Sequence, residues 1–274
     1  MLEPRSDVQS IAEAFVSARH EAHALAQYPG IPPQGLAEAY AIQDAAILEY
    51  GDDILGWKVG RVNPPWLAQL GTTRLAGPIF ARSVQAASAG EIPTGAVFDG
   101  GFGAAEAEFV FRIGTAPATG KNSFTTDDAL TLVDAVFCGI EIASSPFLGI
   151  NDLGPMVTIS DFGNNNGLLL GAEIADWRTL GFENWQVTTL IDGGIIGVGT
   201  VQSFPGGVFE SIRFLIENLA SRGHVVAPGM LISSGAVTGV HTVTQGQTVE
   251  ARFGDFTSMH CNIGYAVRHE RTAR

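Results

Sequence analysis

The spacing of apolar residues changes at about residue 54. In residues 7–26, and again in residues 36–50, apolar side chains recur every three or four positions, which is the period of an amphipathic helix. The pair Pro32-Pro33 separates the two segments, because proline interrupts a helix. The N-terminal part of the chain is therefore predicted to be helical.

Beyond residue 54, short β-type runs alternate with turns that contain glycine or proline, and the 34 glycines of the chain indicate many tight turns. Asp192-Gly193-Gly194 is typical of a hairpin turn. Helices are predicted in this part at residues 126–135 and 207–221. Strands are predicted at residues 55–59, 105–113, 137–143, 168–170, 187–191, 195–200, 230–234, 248–253 and 256–262.

The predicted strands outnumber the later helices and do not alternate with them regularly. This arrangement favours an α+β fold with a mixed or antiparallel β core over a doubly wound sheet. We predict an N-terminal helical region at residues 1–53 and a β-rich region at residues 54–274. Together they are expected to form one folding unit.

Composition narrows the class of protein. The chain has 274 residues, of which 46% are hydrophobic and 16% charged, a balance that indicates a folded globular protein. No apolar run reaches the roughly 18 residues that a membrane span requires, and the N-terminus lacks a secretory pattern. We therefore expect a cytoplasmic protein, in which Cys138 and Cys261 are buried, reduced thiols.

The net charge is −13, and the lysines and arginines are scattered singly along the chain. This distribution argues against nucleic acid or an anionic membrane surface as the main partner. The expected partner is a small molecule.

Two glutamates in one predicted strand carry a chemical signal. Glu106 and Glu108 are two residues apart, so they point to one face of the strand while Ala107, Phe109 and Phe111 point to the other. Such close carboxylates repel each other unless a cation lies between them or one of them is protonated. From this strand alone, an edge strand with ordinary surface acids explains the pair equally well.

The position of Glu141 favours a functional site over ordinary surface acids. This residue lies within the apolar run at residues 136–143, where an ionised carboxylate is costly unless an arginine, a lysine or a metal compensates its charge. Three oxygen ligands suit Mg²⁺ or Mn²⁺. We therefore predict a divalent-metal-dependent enzyme whose metal ligands are Glu106, Glu108 and Glu141.

Lys58 is the candidate acid–base residue. It lies in an apolar strand between Gly56 and Gly60, and a buried lysine near a metal would have a lowered pKa and could transfer a proton near neutral pH. A lysine that reaches solvent from the end of a strand is the alternative. Asp161 lies in a turn rich in glycine and asparagine, and turn chemistry by itself explains that cluster.

Six motifs along the chain form a recognisable series. They are GWKVG at 56–60, EAEFVF at 106–111, GIEIA at 139–143, ISDFGNNNGLLLG at 159–171, PGMLISSGAVTGV at 228–240 and GQTVEARFGDF at 246–256. Together they resemble the 2-keto-4-pentenoate hydratase group of the fumarylacetoacetate hydrolase superfamily and follow its order over most of the chain. The most specific part is the E-x-E followed some thirty residues later by an acid in an apolar strand.

The resemblance implies a mixed β-sheet core rolled into a barrel-like shape, a helical N-terminal region and a homo-oligomer. It implies that Glu106, Glu108 and Glu141 bind Mg²⁺ or Mn²⁺ and that Lys58 is the acid–base residue. Hydratases of this family add water to 2-hydroxy-2,4-dienoates, which gives 4-hydroxy-2-oxo acids in the breakdown of aromatic compounds. Close relatives decarboxylate 2-oxo-3-enedioates.

The resemblance implies a role in the reaction for the metal, for Lys58 and for Asp161. A metal would chelate the 1-carboxylate and the 2-oxygen of the substrate and would stabilise the developing enolate. Lys58 would move a proton from the 2-hydroxyl towards C5, and water would add at C4. Asp161 is a weaker candidate for orienting the water or the substrate.

The sequence departs from the family pattern at positions expected to face the substrate. The acidic residue that relatives carry after Ala81 is Arg82 in this chain. A serine- and asparagine-bearing turn becomes Asp161-Phe162-Gly163-Asn164, a G-H-P motif becomes Ser203-Phe204-Pro205, and an arginine that follows the third glutamate becomes Pro146.

We therefore predict a hydro-lyase that hydrates a 2-hydroxy-2,4-dienoate. The alternatives are a decarboxylase or keto–enol isomerase of a 2-oxo-enedioate, an acylpyruvate C–C hydrolase, and a non-catalytic partner subunit. A complex with a related pathway enzyme is also considered. If the substrate carries a distal carboxylate, Arg82 and Arg112 are the candidates to bind it.

Overall fold

A computed structural model describes residues 7–86, 91–203 and 206–269. The α-helices are α1 (Asp7–Glu21), α2 (Leu36–Tyr50), α3 (Trp66–Leu70), α4 (Thr126–Thr131), α5 (Pro155–Ser160), α6 (Trp177–Leu180) and α7 (Gly207–Ser221). The strands are β1 (Ile54–Arg61), β2 (Arg74–Phe80), β3 (Val84–Ala86), β4 (Thr94–Val97), β5 (Phe102–Ile113), β6 (Val133–Ser145), β7 (Asn165–Glu173), β8 (Val187–Ile191), β9 (Gly194–Gly199), β10 (Leu231–Ser233), β11 (His241–Thr242), β12 (Thr248–Phe253) and β13 (Thr257–Tyr265).

The strands form two mixed sheets. The larger sheet is curled into a half-barrel and has the order β2-β1-β10-β5-β6-β7-β3, with β11 also paired to β5. Within it β1 pairs in parallel with β10, and β3 with β7, while the other neighbours are antiparallel. The smaller sheet has the order β4-β13-β12-β8-β9. The predicted α+β class with a mixed, barrel-like β core is confirmed.

The apolar face of β5 forms the centre of the main core. Phe109 packs against Phe182 and against Phe253 of β12, with ring centroids 4.9 and 5.4 Å apart. Phe111 packs against Phe209 of α7. Because side chains alternate along a strand, this packing directs the intervening residues of β5 to the opposite face of the sheet, as predicted.

The N-terminal helices form a second core cluster. Ile11 and Phe15 of α1 pack with Ile42 and Tyr50 of α2, and this cluster extends to Phe162, which lies in the turn that precedes β7. The helical segment therefore contacts the β-rich part of the chain close to residues 161–166.

The structure corrects several predicted boundaries. The first helix ends at Glu21 instead of residue 26, and Ala22 adopts a left-handed conformation with φ of 52°. The helix predicted at 126–135 ends at Thr131, because Val133 already pairs with Ile113 at the start of β6. The patterns at 36–50, 187–191, 207–221 and 248–253 match α2, β8, α7 and β12.

Strand β2 was not predicted. All seven of its residues are buried, so they show no alternation of apolar and polar positions, and Gly77 and Pro78 are typical of a turn. The strand forms nonetheless because β1 pairs with it over most of its length.

Cys138 of β6 and Cys261 of β13 are both buried and free, as predicted. Burial raises the pKa of each thiol to about 12. Among the described residues, the helices lack the length and apolar character that crossing a bilayer requires.

Candidate metal centre

The three predicted glutamates lie together on one face of the larger sheet. The antiparallel register of β5 and β6 places Glu106 opposite Glu141, and Glu108 follows two residues further along the same face. One carboxylate oxygen from each residue lies within 4.8 Å of the other two. All three side chains are buried, and the exposed fractions of Glu108 and Glu141 are 0%.

Two of these carboxylates are oriented by hydrogen bonds to one oxygen only. Glu108 Oε2 accepts from the Ser233 hydroxyl at 2.6 Å and from the Gly235 backbone N–H at 2.8 Å. Glu141 Oε1 accepts from Asn165 Nδ2 at 3.0 Å. The remaining oxygens, Glu108 Oε1 and Glu141 Oε2, are buried and have no hydrogen-bond partner among the described residues. Buried acceptors without partners are rare, and a cation would satisfy both.

The cluster is electrostatically strained in the absence of a cation. Burial, together with the charge of Glu141, raises the pKa of Glu106 to about 7, although Lys58 opposes this shift. Burial and the charges of Glu141 and Glu106 raise the pKa of Glu108 well above its ordinary value. A site that favours protonated carboxylates when it is empty gains most from a divalent cation.

Lys58 of β1 faces this cluster. Its Nζ lies 3.3 Å from Glu141 Oε1 and donates to Asn164 Oδ1 at 3.3 Å. Burial lowers the pKa of Lys58, but the charges of Glu141, Glu106 and Glu108 outweigh burial and raise it. Without a cation, three carboxylates share one buried ammonium group, so the pKa of Lys58 is raised; the lowering predicted for a lysine beside a bound metal stays a prediction.

We expect the metal-free protein to lose stability as the pH rises from about 4.5 to about 7. Over this range the unfolded chain, with an ordinary glutamate pKa of 4.5, releases the proton that Glu106 retains in the folded state up to a pKa of about 7. Rising pH therefore favours unfolding. Thermal melting in a chelator checks this, with Glu106→Gln as the control because it lacks the titrating group.

The melting temperature of the wild type should fall relative to that of Glu106→Gln between these pH values and then level off. Saturating Mn²⁺ should reduce the fall, because cation binding strengthens as the ligands lose their protons. If the melting temperatures of the two proteins in chelator changed equally with pH, the prediction would be contradicted.

A cavity of about 690 Å³ opens beside the cluster. Lys58, Glu106 and Asn164 line it together with residues that the sequence did not single out, namely Arg61, Trp66, Phe102, Asn151 and Thr158. Thr158 Oγ1 and Asn164 Nδ2 both donate to Asn151 Oδ1 at 3.3 Å. The cavity therefore combines a charged end with apolar rings and a hydrogen-bonded polar group.

The arginines proposed for a distal carboxylate lie elsewhere. Arg112 pairs with Asp134 on the surface, and Arg82 pairs with Asp52. Neither lines the cavity, whereas Arg61 does. Local pattern does not identify Arg61, because it is three residues from Lys58 on the same strand and alternation assigns such a residue to the opposite face.

Asp161 is not brought to the cavity. It is buried, and its Oδ1 accepts from Arg19 Nε at 2.5 Å. The geometry therefore gives its carboxylate a partner within the protein and no direct contact with the space beside Lys58.

Most of the positions at which the sequence departs from the family pattern can be located in the structure. Phe162 is buried against Tyr50 and Phe80, and the Pro146 carbonyl accepts from the backbone N–H of Leu25. Ala81 begins a short 3₁₀ turn after β2. Phe204 lies outside the described residues.

Comparison with known proteins finds similarity to a decarboxylase in sequence and to metal-bound enzymes in fold. No family model matches the sequence. The 4-oxalocrotonate decarboxylase of Pseudomonas putida is 24% identical in an alignment of 257 residues, which covers 91% of this chain and 94% of that protein.

Solved structures show the same fold. The 4-oxalocrotonate decarboxylase from Pseudomonas putida G7, complexed with magnesium and adipate, matches with a TM-score of 0.78 and 18% identity, covering 95% of this chain and 98% of that one. The fumarylpyruvate hydrolase from Pseudomonas aeruginosa, in complex with Mn²⁺ and pyruvate, matches with a TM-score of 0.56 and 16% identity, covering 76% and 88%.

Proposed function

We propose that this chain, a divergent member of the fumarylacetoacetate hydrolase superfamily, is a divalent-metal-dependent decarboxylase of a 2-oxo-3-enedioate. The observation that carries the proposal is the buried cluster of three carboxylates beside one buried lysine, at the end of a cavity large enough for a small acid. The similarity to 4-oxalocrotonate decarboxylase extends over nearly the whole chain and favours this reaction over hydration.

Glu106, Glu108 and Glu141 would hold Mg²⁺ or Mn²⁺. The donor set contains only oxygen, and the two carboxylate oxygens without partners supply unused ligand atoms. When bound, the cation would supply Lewis-acid chemistry, stabilising negative charge on the oxygens of a 2-oxo acid.

Lys58 would deliver a proton to the 2-oxygen. Decarboxylation breaks the bond between C5 and C6 and releases CO₂, and the electron pair moves through the conjugated C3–C4 bond to the 2-oxygen. Protonation of that oxygen by the ammonium group then gives a 2-hydroxydienoate. With the carboxylate charges compensated, burial is left as the main influence on Lys58 and lowers its pKa, which favours proton transfer.

Hydration of a 2-hydroxy-2,4-dienoate is the second candidate. The observation that favours it is the group of Asn151, Thr158 and Asn164, which are linked by hydrogen bonds and line the cavity. Such a group can hold a water molecule beside a bound substrate. Hydration and decarboxylation use the same electron sink, so the two reactions need to be separated by experiment.

The test is an assay of the purified protein with 2-oxohex-3-enedioate and, separately, with 2-hydroxypenta-2,4-dienoate. Each is followed by ultraviolet absorbance, CO₂ release and product analysis, with Mg²⁺, with Mn²⁺ and with chelator. We expect metal-dependent CO₂ release from the first substrate. Turnover of only the second substrate would replace the decarboxylase by the hydratase, and turnover of neither would reject both.

The predicted homo-oligomer and the complex with a related pathway enzyme stay predictions. Analytical ultracentrifugation of the protein alone checks the first of them.

A further inference from the structure

We infer that Arg19, in the N-terminal helix α1, is a positioning residue for the candidate metal centre. It fixes residues 161–166, a turn that runs into the first two residues of β7, and these residues orient Glu141 and Lys58. The inference rests on the proposed function, because it assumes that the glutamate cluster binds a cation. It adds a residue that lies outside the cavity and far from the glutamates in sequence.

Arg19 is buried, with an exposed fraction of 3%, and its guanidinium makes five hydrogen bonds. Nε donates to Asp161 Oδ1 at 2.5 Å, and Nη1 donates to the Asn165 carbonyl at 3.0 Å and to Asn166 Oδ1 at 3.1 Å. Nη2 donates to the carbonyls of Ser144 and Asp161 at 3.2 and 3.3 Å. Four of the five acceptors belong to the turn, and the fifth lies near the end of β6.

Aromatic rings confine the same guanidinium. Its central carbon lies 5.0 Å from the ring centroid of Phe162 and 5.6 Å from that of Phe98. A planar, forked cation is suited to several acceptors and to stacking on rings, whereas a lysine ammonium has a different geometry. The site is therefore specific for arginine.

The turn needs an external anchor. Phe162, Gly163 and Asn164 have φ values of 56°, 62° and 57°, so three consecutive residues adopt the left-handed conformation. Residues other than glycine adopt it at an energetic cost and keep it where the surrounding structure fixes them. The Phe162 carbonyl also lies against Gly77, where a Cβ atom would clash with it. Arg19 supplies the hydrogen bonds on the other side.

The turn acts on the site through two adjacent side chains. Asn164 Oδ1 accepts the hydrogen bond of Lys58 Nζ, and Asn165 Nδ2 donates to Glu141 Oε1 at 3.0 Å. The other oxygen of Glu141, Oε2, is buried and has no hydrogen-bond partner among the described residues, so it is available to a cation. Loosening the turn would therefore disorder a metal ligand and the proposed acid together.

The test measures Mn²⁺ affinity by calorimetry, without substrate. Arg19→Lys keeps a cation opposite Asp161 but cannot reproduce the five hydrogen bonds, so we expect a folded protein with roughly tenfold weaker Mn²⁺ binding, as for other residues that orient metal ligands. Asp161→Asn breaks the same anchor from the other side and should give a similar loss.

The matched control is Arg74→Met. Arg74 is equally buried, and it donates to the Ser211 hydroxyl and the Gly207 carbonyl of α7, away from the glutamates. Its loss should lower the melting temperature and leave Mn²⁺ affinity within about twofold of the wild type, since surface and core changes far from a ligand do not reorient it. A merely structural role for Arg19 would give the same pattern as this control.

A double-mutant cycle tests whether Arg19 acts on Glu141 through Asn165. Asn165→Ala removes the hydrogen bond to Glu141, and combining it with Arg19→Lys should weaken Mn²⁺ binding little more than either change alone, because both act through one contact. Wild-type Mn²⁺ affinity in both Arg19→Lys and Asp161→Asn would overturn the inference and leave the proposed function standing. Failure of the wild type itself to bind Mn²⁺ would overturn the proposed function and the inference with it.

Discussion

Replacing Lys58 with methionine is expected to reduce kcat by about 10²- to 10⁴-fold, the range that a positioned general acid contributes. Lys58 is the buried cation that faces the glutamate cluster, and its Nζ lies 3.3 Å from Glu141 Oε1. Methionine has a similar length and suits a buried position, so the change removes the proton and the charge while largely preserving packing.

The chain offers a matched control, because Lys121 is its other lysine. Lys121 pairs with Asp128 near the surface, and Lys121→Met should leave kcat within about twofold, since exposed ion pairs contribute little. Mn²⁺ titration of Lys58→Met separates chemistry from folding, because the three carboxylates remain. Bound Mn²⁺ together with unchanged kcat would show that Lys58 does not supply the proton.

Glu108→Gln is expected to weaken Mn²⁺ binding by about 100-fold or more, beyond the range seen when residues that only orient ligands are changed. At the same time the metal-free protein should become more stable. Burial and repulsion from two neighbouring carboxylates oppose ionisation of Glu108, and glutamine removes that charge. Its carbonyl can still accept the hydrogen bonds of Ser233 and Gly235.

Denaturant unfolding with chelator and with saturating Mn²⁺ measures both effects. The variant should be more stable than the wild type in chelator and less stable with Mn²⁺, so the order of the two proteins should reverse. Glu173→Gln, on an exposed position of β7, should show no reversal. A Glu108→Gln protein that is less stable under both conditions would indicate that the glutamates stabilise the fold without a cation.

Local pattern was sufficient to place the glutamates but not all of their partners. Alternation along β5 put Glu106 and Glu108 on one face, and the apolar run around Glu141 indicated a buried strand. The hydrogen bond from Arg19 to Asp161 joins residues 142 positions apart, and no local spacing predicts such a contact. Asn164 and Asn165 were explained as turn residues, but Asn165 begins β7, and the two side chains contact Lys58 and Glu141.

Opposing energies limited the other predictions. The pKa of Lys58 is a balance between burial and three carboxylate charges, and the sign of that balance depends on distances that a sequence does not contain. Strand β2 forms through pairing with β1 even though Gly77 and Pro78 are locally unfavourable for a strand. In both cases long-range structure outweighed the local signal.

The two buried cysteines make this protein convenient for spectroscopy. With thiol pKa values of about 12, Cys138 and Cys261 carry almost no thiolate at neutral pH, and the thiolate is the form that reacts with maleimides and similar probes. A cysteine introduced at an exposed position, such as Lys121→Cys, would therefore react selectively in the otherwise wild-type chain. A fluorophore or spin label could be attached there without first removing the native thiols.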